Sequence, residues 1–241
     1  MRPEILEGQG DILLLCDHAS NAVPPEMDLG IAAHLLDKHI AIDIGAGDLT
    51  RALAMRLGAP AVLATVSRLV IDLNRDPDHP GLLPASSDGH VIPGNAAANR
   101  ADRLVRFHVP YHDALAAEIA AHDSRLIVAI HSFTPRLETD AADRPWEAGV
   151  LYNQDTRAAY LVLGLLRAAG VSTGDNQPYS GRLFNATLDR HGEARGISSV
   201  SIEIRNDQIS DPAGIARWAE ILAPILVETC NGLAQAAPAT T

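Results

Sequence analysis

The sequence has little of what marks several large classes of protein. Its 241 residues include only two cysteines, Cys16 and Cys230, which is too few for a disulfide framework and fits buried free thiols in a reducing compartment. No apolar run approaches the length of a membrane span, and the N-terminus lacks the charged-then-apolar pattern of a signal peptide. We therefore expect a soluble, cytoplasmic protein.

The sequence also lacks basic tracts and the Gly-x-Ser-x-Gly motif that carries the nucleophile in many serine hydrolases. The net charge is −11 and the pI is near 5.2, so binding to nucleic acid or to an anionic membrane is not expected as the main role. No Gly-x-Ser-x-Gly occurs, which makes serine-hydrolase chemistry the weaker enzymatic alternative.

A chain of this length with 47% hydrophobic residues can bury a full core. We interpret residues 1–241 as one domain, with residues 234–241 as a frayed tail, and the sequence does not reveal the oligomeric state.

Short apolar runs alternate along the chain with stretches of helical period. The predicted strands are residues 12–16, 61–66, 68–73, 126–130, 149–152 and 198–204, and the predicted helices are residues 30–38, 46–57, 99–122 and 156–169. A last helix begins at Pro212 with Asp211 as its cap, and Pro224 predicts a kink or a break in it. The alternation predicts a three-layer α/β/α fold with a mostly parallel or mixed sheet. Turn-forming residues in 74–98 predict a long loop over a site.

Two histidines directly follow patterns that are typical of buried strands. His18 comes after residues 12–16 and Asp17, and His131 comes after residues 126–130. The carboxyl ends of parallel strands meet at one edge of a sheet, where open α/β proteins build their sites. One such histidine is more often a structural residue, but two of them at two strand ends are harder to explain in that way.

A third strand pattern carries a carboxylate. Residues 200–205 alternate apolar and polar side chains, which places Glu203 between two isoleucines. Burying a glutamate is costly unless it is paired or functional. Glu203 is therefore a candidate general base, and the alternative is a structural salt bridge to Arg205. Two histidines and a glutamate from separate strands are the parts of a hydrolytic zinc centre.

Residues 67–75 form a further polar cluster. In the predicted strand 68–73 and the residue after it, Arg68, Asp72 and Asn74 share one face. An arginine beside an asparagine offers a planar donor pair and an amide, which suits a substrate carboxylate. A solvated edge strand would show the same polarity, so both interpretations stay open.

These segments together resemble the N-formylglutamate amidohydrolase family. The resemblance spans about residues 10–230 and rests on Asp17-His18-Ala19-Ser20-Asn21, Asp43-Ile44-Gly45, the 67–75 cluster, Ala129-Ile130-His131-Ser132-Phe133 and Ile202-Glu203-Ile204-Arg205. It implies a fold similar to zinc carboxypeptidases and aspartoacylase-like deacylases, with one Zn²⁺. It also implies hydrolysis of the amide of a small acidic N-acyl amino acid such as N-formylglutamate.

The same resemblance implies roles for individual residues. His18 and His131 fall on the zinc ligands, Glu203 on the catalytic glutamate and Arg68 on the arginine that stabilises the oxyanion. Asn74 and Arg75 fall on the pair that holds the substrate carboxylate. Arg205 and Ser132 are further candidates for substrate binding.

One position departs from the pattern of the related carboxypeptidases. They have a glutamate three residues after the first histidine, where this chain has Asn21, and a neutral amide is a poor zinc ligand. Asp43 is the alternative third ligand, although it could instead be a cap for helix 46–57. If no carboxylate completes the site, a metal-free binding protein that retained the fold is the competing hypothesis. His112 and His191 either approach the site or are structural.

Overall fold

The computed structural model describes residues 1–236, and a seven-stranded mixed sheet forms its centre. The strands are β1 (Glu4–Leu6), β2 (Ile12–Cys16), β3 (Ala61–Leu63), β4 (Ser86–Ser87), β5 (His90–Val91), β6 (Leu126–Phe133), β7 (Ala148–Leu151), β8 (Thr173–Asp175) and β9 (Ser198–Arg205). The sheet has the order β1-β3-β2-β6-β9-β7-β8, while β4 and β5 pair as a separate hairpin. The strands β3, β2, β6 and β9 run parallel, and β1 and the pair β7–β8 run against them.

Helices cover both faces of this sheet. They are α1 (Ala46–Leu57), α2 (Arg100–Arg103), α3 (Val109–His122), α4 (Arg157–Ala168), α5 (Ala186–His191) and α6 (Pro212–Ala236). Apolar residues of α1, α4 and α6 form one core with the sheet, and residues of α3 and α5 form a second core on the opposite face. The predicted three-layer α/β fold is confirmed.

The central strands are buried on both faces, as their near-continuous apolar runs predict. Every residue of β2 and β6 is buried. The titratable side chains His18, His131 and Glu203 lie where β2, β6 and β9 reach their carboxyl ends. Cys16 and Cys230 are buried free thiols, as expected.

The predicted strand 68–73 is wrong, because a turn begins at Ser67. The Ser67 carbonyl accepts hydrogen bonds from the N–H groups of Val70 and Ile71, and its hydroxyl accepts one from Leu69 N–H. Serine favours such local side-chain turns over strand pairing. Arg68 and Asp72 therefore meet as a pair four residues apart in a folded loop, and do not share a strand face.

Other boundaries also differ from prediction. Strand 61–66 ends at Leu63, and helix 30–38 is a 3₁₀ helix over Ala33–Asp37. Helix 99–122 contains a π-helical turn at Leu104–His108, directly before Val109 and Pro110; a proline lacks the N–H that a regular α-helical step needs. The sequence interpretation missed β1, β8, α5 and the β4–β5 hairpin inside the 74–98 loop.

The last helix is capped as predicted but is not broken. Asp211 Oδ1 accepts a hydrogen bond of 2.8 Å from Gly214 N–H. The helix α6 continues through Pro224, because Trp218, Leu222 and Leu226 on either side are buried against the sheet. The predicted frayed tail is helical as far as Ala236, and residues 237–241 lie outside the described residues. Within residues 1–236, no helix has the length and apolar character needed to cross a membrane.

Candidate metal and active site

A cavity of about 260 Å³ opens at the carboxyl edge of the sheet. It brings together residues from separate strands, from the turn before α1 and from the loop after β3. Those with side chains suited to chemistry are His18, Asp43, Arg68, Asp72, Asn74, Arg75, His131, Ser132 and Glu203. The size and polarity suit a small ligand.

Two histidines and one aspartate form a compact buried group in this cavity. Asp43 Oδ2 lies 3.2 Å from His18 Nδ1 and 2.7 Å from His131 Nδ1. One ligand atom from each of the three residues lies within 4.8 Å of the others. Two imidazoles and a carboxylate are a common three-ligand set for catalytic zinc, so this group could hold a metal ion.

The loop around Gly45 places Asp43 at this edge. Asp43 N–H donates to the His18 carbonyl at 3.1 Å. Gly45 has a φ of 77° and starts α1, and a Cβ there would lie 2.0 Å from the Ile209 carbonyl oxygen. Only glycine suits a position that needs both a left-handed backbone and such a close approach. Asn21, the alternative ligand, instead donates to Asp37 at 3.1 Å.

Each histidine of the group also faces a second carboxylate through its other nitrogen. His18 Nε2 lies 2.8 Å from Asp72 Oδ1. His131 Nε2 lies 3.2 Å from Asp17 Oδ2, as an ion pair whose hydrogen-bond alignment is poor. Metal-binding histidines usually have such a partner, which fixes the ring and its tautomer. This arrangement fits a metal bound by the two Nδ1 atoms.

Arg68 connects the two carboxylates on one side of the group. It donates from Nη1 to Asp43 Oδ1 at 3.1 Å and from Nη2 to Asp72 Oδ2 at 2.9 Å. Burial alone would raise the pKa of Asp72, but the charges of His18 and Arg68 and the hydrogen bond to His18 hold it well below its usual range. The same carboxylates raise the pKa of Arg68 against the effect of burial. Both groups are therefore charged at neutral pH.

Glu203 has a different environment. Its side chain lines the cavity, and no hydrogen-bond or ion-pair partner for its carboxylate exists within residues 1–236. Burial, with the negative charge of Asp43 adding to it, raises the pKa of Glu203 to about 7 against the opposing charge of His131. Arg205 donates to Asp207 at 2.8 Å, so the alternative of a structural Glu203–Arg205 salt bridge is wrong.

Comparisons with known proteins agree with these observations. The model of the N-formylglutamate amidohydrolase family matches residues 10–210. The chain belongs to this family. A crystal structure of a gene product from Agrobacterium tumefaciens is similar to the chain at 33% identity with a TM-score of 0.91, covering 97% of this chain and 96% of that one. N-formylglutamate amidohydrolase from Ralstonia eutropha has the same fold, at 19% identity, a TM-score of 0.72 and coverage of 98% and 99%. A comparison with curated sequences gave no match.

Not all of the four residues predicted to bind substrate line the cavity. Asn74 Nδ2 donates to the Phe184 carbonyl at 3.1 Å, and its Oδ1 accepts from Thr187 N–H at 3.0 Å. Arg75 lies in the cavity wall with its guanidinium carbon 4.7 Å from the centre of the Phe184 ring. Ser132 lines the cavity, while its hydroxyl donates to the Ile44 carbonyl. Arg205 does not line the cavity.

Sequence reasoning missed the contacts of Asp17 and Asp72 with the two histidines. Asp17 directly precedes His18, and an acid beside a histidine at a strand end was the available signal. The contact of Asp72 with His18 depends on the turn at Ser67, which the predicted strand concealed. His112 and His191 do not line the cavity; they form a separate buried pair, with His112 Nδ1 2.9 Å from His191 Nε2.

Proposed function

We propose that this member of the family is a zinc-dependent amidohydrolase that cleaves the amide of a small N-formyl amino acid, with N-formylglutamate as the reference substrate. The observation that carries the proposal is the cavity itself. It combines a buried His18–Asp43–His131 group with a carboxylate, Glu203, that has no partner among the described residues. Burying an unpaired glutamate is costly, and a binding protein without activity would not need it as a general base.

The metal would be held by His18, Asp43 and His131, with Asp17 and Asp72 orienting the two imidazoles. When bound, Zn²⁺ lowers the pKa of water toward neutrality and polarises the scissile carbonyl. Asp43 is the third ligand in this proposal, because its carboxylate lies between the two imidazoles while Asn21 is hydrogen-bonded elsewhere.

The other residues would handle protons and charge. Glu203, whose carboxylate has no hydrogen-bond partner among the described residues, would accept a proton from the attacking water and deliver it to the amine that leaves. The Arg68 guanidinium would stabilise negative charge on the amide oxygen. Arg75 would bind the substrate carboxylate, with Asn74 holding the Phe184 segment beside it. Ser132 would support the loop that carries Asp43 through its bond to the Ile44 carbonyl.

The free thiols Cys16 and Cys230 support action in a reducing compartment such as the cytoplasm.

The substrate class and the zinc requirement are tested together. Protein purified without chelator is assayed for bound metal and for formate release from a mixture of N-formyl amino acids that includes N-formylglutamate. We expect about one zinc per chain, loss of hydrolysis after chelation, and recovery when zinc is restored. Bound zinc without hydrolysis of any N-formyl amino acid would contradict the proposed reaction.

A further inference from the structure

The carboxylates behind the two histidines of the metal group are themselves held in place by neighbouring residues. Asp72 Oδ1 lies 2.8 Å from His18 Nε2. Asp17 Oδ2 lies 3.2 Å from His131 Nε2. Both carboxylates are buried, so they have lost most of their hydration and need hydrogen bonds from the protein. The residues that donate these bonds fix the carboxylates, and through them the two imidazoles.

Asn74 connects one of these carboxylates to a second segment of the chain. Its backbone N–H donates to Asp72 Oδ1 at 3.0 Å. Its side-chain Nδ2 donates to the Phe184 carbonyl at 3.1 Å, and its Oδ1 accepts from Thr187 N–H at 3.0 Å. A carbonyl oxygen can only accept and a backbone N–H can only donate, so these two partners fix the orientation of the amide. Asn74 therefore holds residues 184–187 against the turn that carries Asp72.

Thr187 extends this connection to the other carboxylate. It lies in the first turn of α5, is fully buried, and is not among the residues that line the cavity. Its hydroxyl lies 2.9 Å from Asp17 Oδ1 and 3.4 Å from the Leu73 carbonyl. Because the carboxylate is the nearer partner and, when ionised, can only accept, the hydroxyl donates to Asp17. One series of hydrogen bonds therefore links the carboxylate behind His18 with the one behind His131.

The same two segments carry one wall of the cavity. Arg75 follows Asn74 directly, and both Arg75 and Phe184 line the cavity. The guanidinium carbon of Arg75 lies 4.7 Å from the centre of the Phe184 ring, and Nη1 donates to the Leu183 carbonyl at 3.3 Å. A displacement of the segment that contains Phe184 would therefore move this wall and also disturb the support of His131.

We propose that Asn74 and Thr187 are positioning residues, which hold the carboxylates behind the metal-binding histidines and join them to the wall formed by Arg75 and Phe184. This inference rests on the proposed function and adds to it two residues that act through others. Direct contact of the Asn74 amide with the substrate is the competing role. Loss of the hydrogen bonds of either residue should weaken zinc binding and substrate binding together, whereas loss of a direct substrate contact would change substrate binding alone.

Thr187→Val removes the hydroxyl and keeps the shape of a side chain that does not line the cavity. Zinc affinity is measured by competition with a zinc-binding dye, and kcat and KM for N-formylglutamate are measured at saturating zinc. We expect zinc affinity to fall by about three- to tenfold, which is less than the roughly 10- to 100-fold typical of losing a direct partner of a ligand histidine. KM should rise severalfold while kcat stays within about twofold, because Glu203 and Arg68 are unchanged.

Two further variants serve as controls. Thr187→Ser keeps the hydroxyl, so zinc affinity and KM should both stay within about twofold of wild type. Thr229→Val makes the same change in α6, which packs against α1 and α4, at a buried threonine whose hydroxyl has no partner within residues 1–236. It should leave zinc affinity and KM unchanged. Equal losses in Thr187→Val and Thr187→Ser would assign the effect to packing and overturn the role of the hydroxyl.

Asn74→Leu gives a second, independent test. It removes both hydrogen bonds of the amide and keeps the backbone N–H, and we expect zinc affinity to fall together with a rise in KM. A raised KM with wild-type zinc affinity would show direct contact with the substrate and overturn the inference for Asn74. Wild-type zinc affinity in a folded Thr187→Val protein would overturn it for Thr187, and if that variant does not fold, Asn74→Leu decides by the same measurement.

The zinc measurement needs no turnover, so it separates this inference from the proposed function. Wild-type protein that binds zinc but hydrolyses no N-formyl amino acid would overturn the proposed function alone. The zinc affinities of Thr187→Val and Asn74→Leu would still decide whether these two residues position the metal site.

Discussion

His131 and Glu203 lie directly opposite each other on the paired parallel strands β6 and β9. One strand register therefore places a candidate metal ligand beside the candidate general base. A slip of β9 by one residue would turn Glu203 to the other face of the sheet, where Ile202 now packs into the core with Ile130. The chemistry of the site depends on a register that the apolar residues of the two strands fix.

Glu203→Gln tests the role of this carboxylate. The amide keeps the shape of the side chain but cannot accept a proton, so we expect kcat to fall by about a hundredfold or more. Zinc content and melting temperature should stay near wild type, because Glu203 has no hydrogen-bond or ion-pair partner within residues 1–236. Unchanged turnover with a lowered melting temperature would instead give Glu203 a structural role.

The metal ligands are tested by their zinc affinity, measured in a competition titration with a zinc-binding dye. Replacing His18 or His131 by alanine should abolish zinc binding and activity together. Asp43→Asn should weaken zinc affinity far more than Asn21→Ala, because Asp43 contacts both imidazoles and Asn21 contacts Asp37. The reverse ranking would identify Asn21 as the third ligand. Full zinc occupancy in the double histidine variant would contradict the site altogether.

The sequence predicted the central strands and the residues at their ends because burial on both faces leaves a strong pattern. Runs such as Ile12–Cys16 are apolar throughout, and the polar residues that follow mark the edge of the sheet. The loop at Ser67 was not predictable in this way. Its sequence alternates like a strand, whereas the structure has a local turn at Ser67. The Ser67 hydroxyl also donates to the Ala41 carbonyl at 2.8 Å, a tertiary contact that the sequence does not reveal. Asp72 was therefore placed on the wrong element and its contact with His18 was missed.

The carboxylates behind the histidines should tune metal affinity. Asp17→Asn keeps the side chain in place but removes the negative charge beside His131 Nε2, so we expect zinc affinity to fall by about 10- to 100-fold. The matched control is Thr187→Val, which removes the hydroxyl that donates to the other oxygen of Asp17 at 2.9 Å. It should have a smaller effect on affinity. Equal affinities in Asp17→Asn and wild type would show that this carboxylate does not support the metal site.

The buried pair His112 and His191 should make stability depend on pH. His112 Nε2 lies 3.1 Å from the Leu73 carbonyl, and His112 Nδ1 lies 2.9 Å from His191 Nε2. Two neutral rings satisfy this chain, with His191 donating to His112 and His112 donating to Leu73. Burial lowers the pKa of His112 to about 3, with the nearby His108 adding to the shift, and lowers that of His191 to about 4, with Arg190 and Arg195 adding to it.

Both rings therefore stay neutral in the folded protein at a pH where they are protonated in the unfolded chain. The unfolded state binds more protons between about pH 6.5 and pH 4, so stability must fall as the pH is lowered through this window. At pH 5 the loss of folding stability relative to pH 7.5 is on the order of 2 kcal/mol per histidine.

In His191→Gln, the amide nitrogen can still donate to His112 but does not titrate, so the fall in stability over this range should shrink by about that amount. Thermal unfolding of wild type and variant at pH 7.5 and 5 measures the difference, with His34→Gln, at an exposed position, as the control. A pH dependence that is the same in wild type and His191→Gln would mean that this pair does not remain neutral on folding.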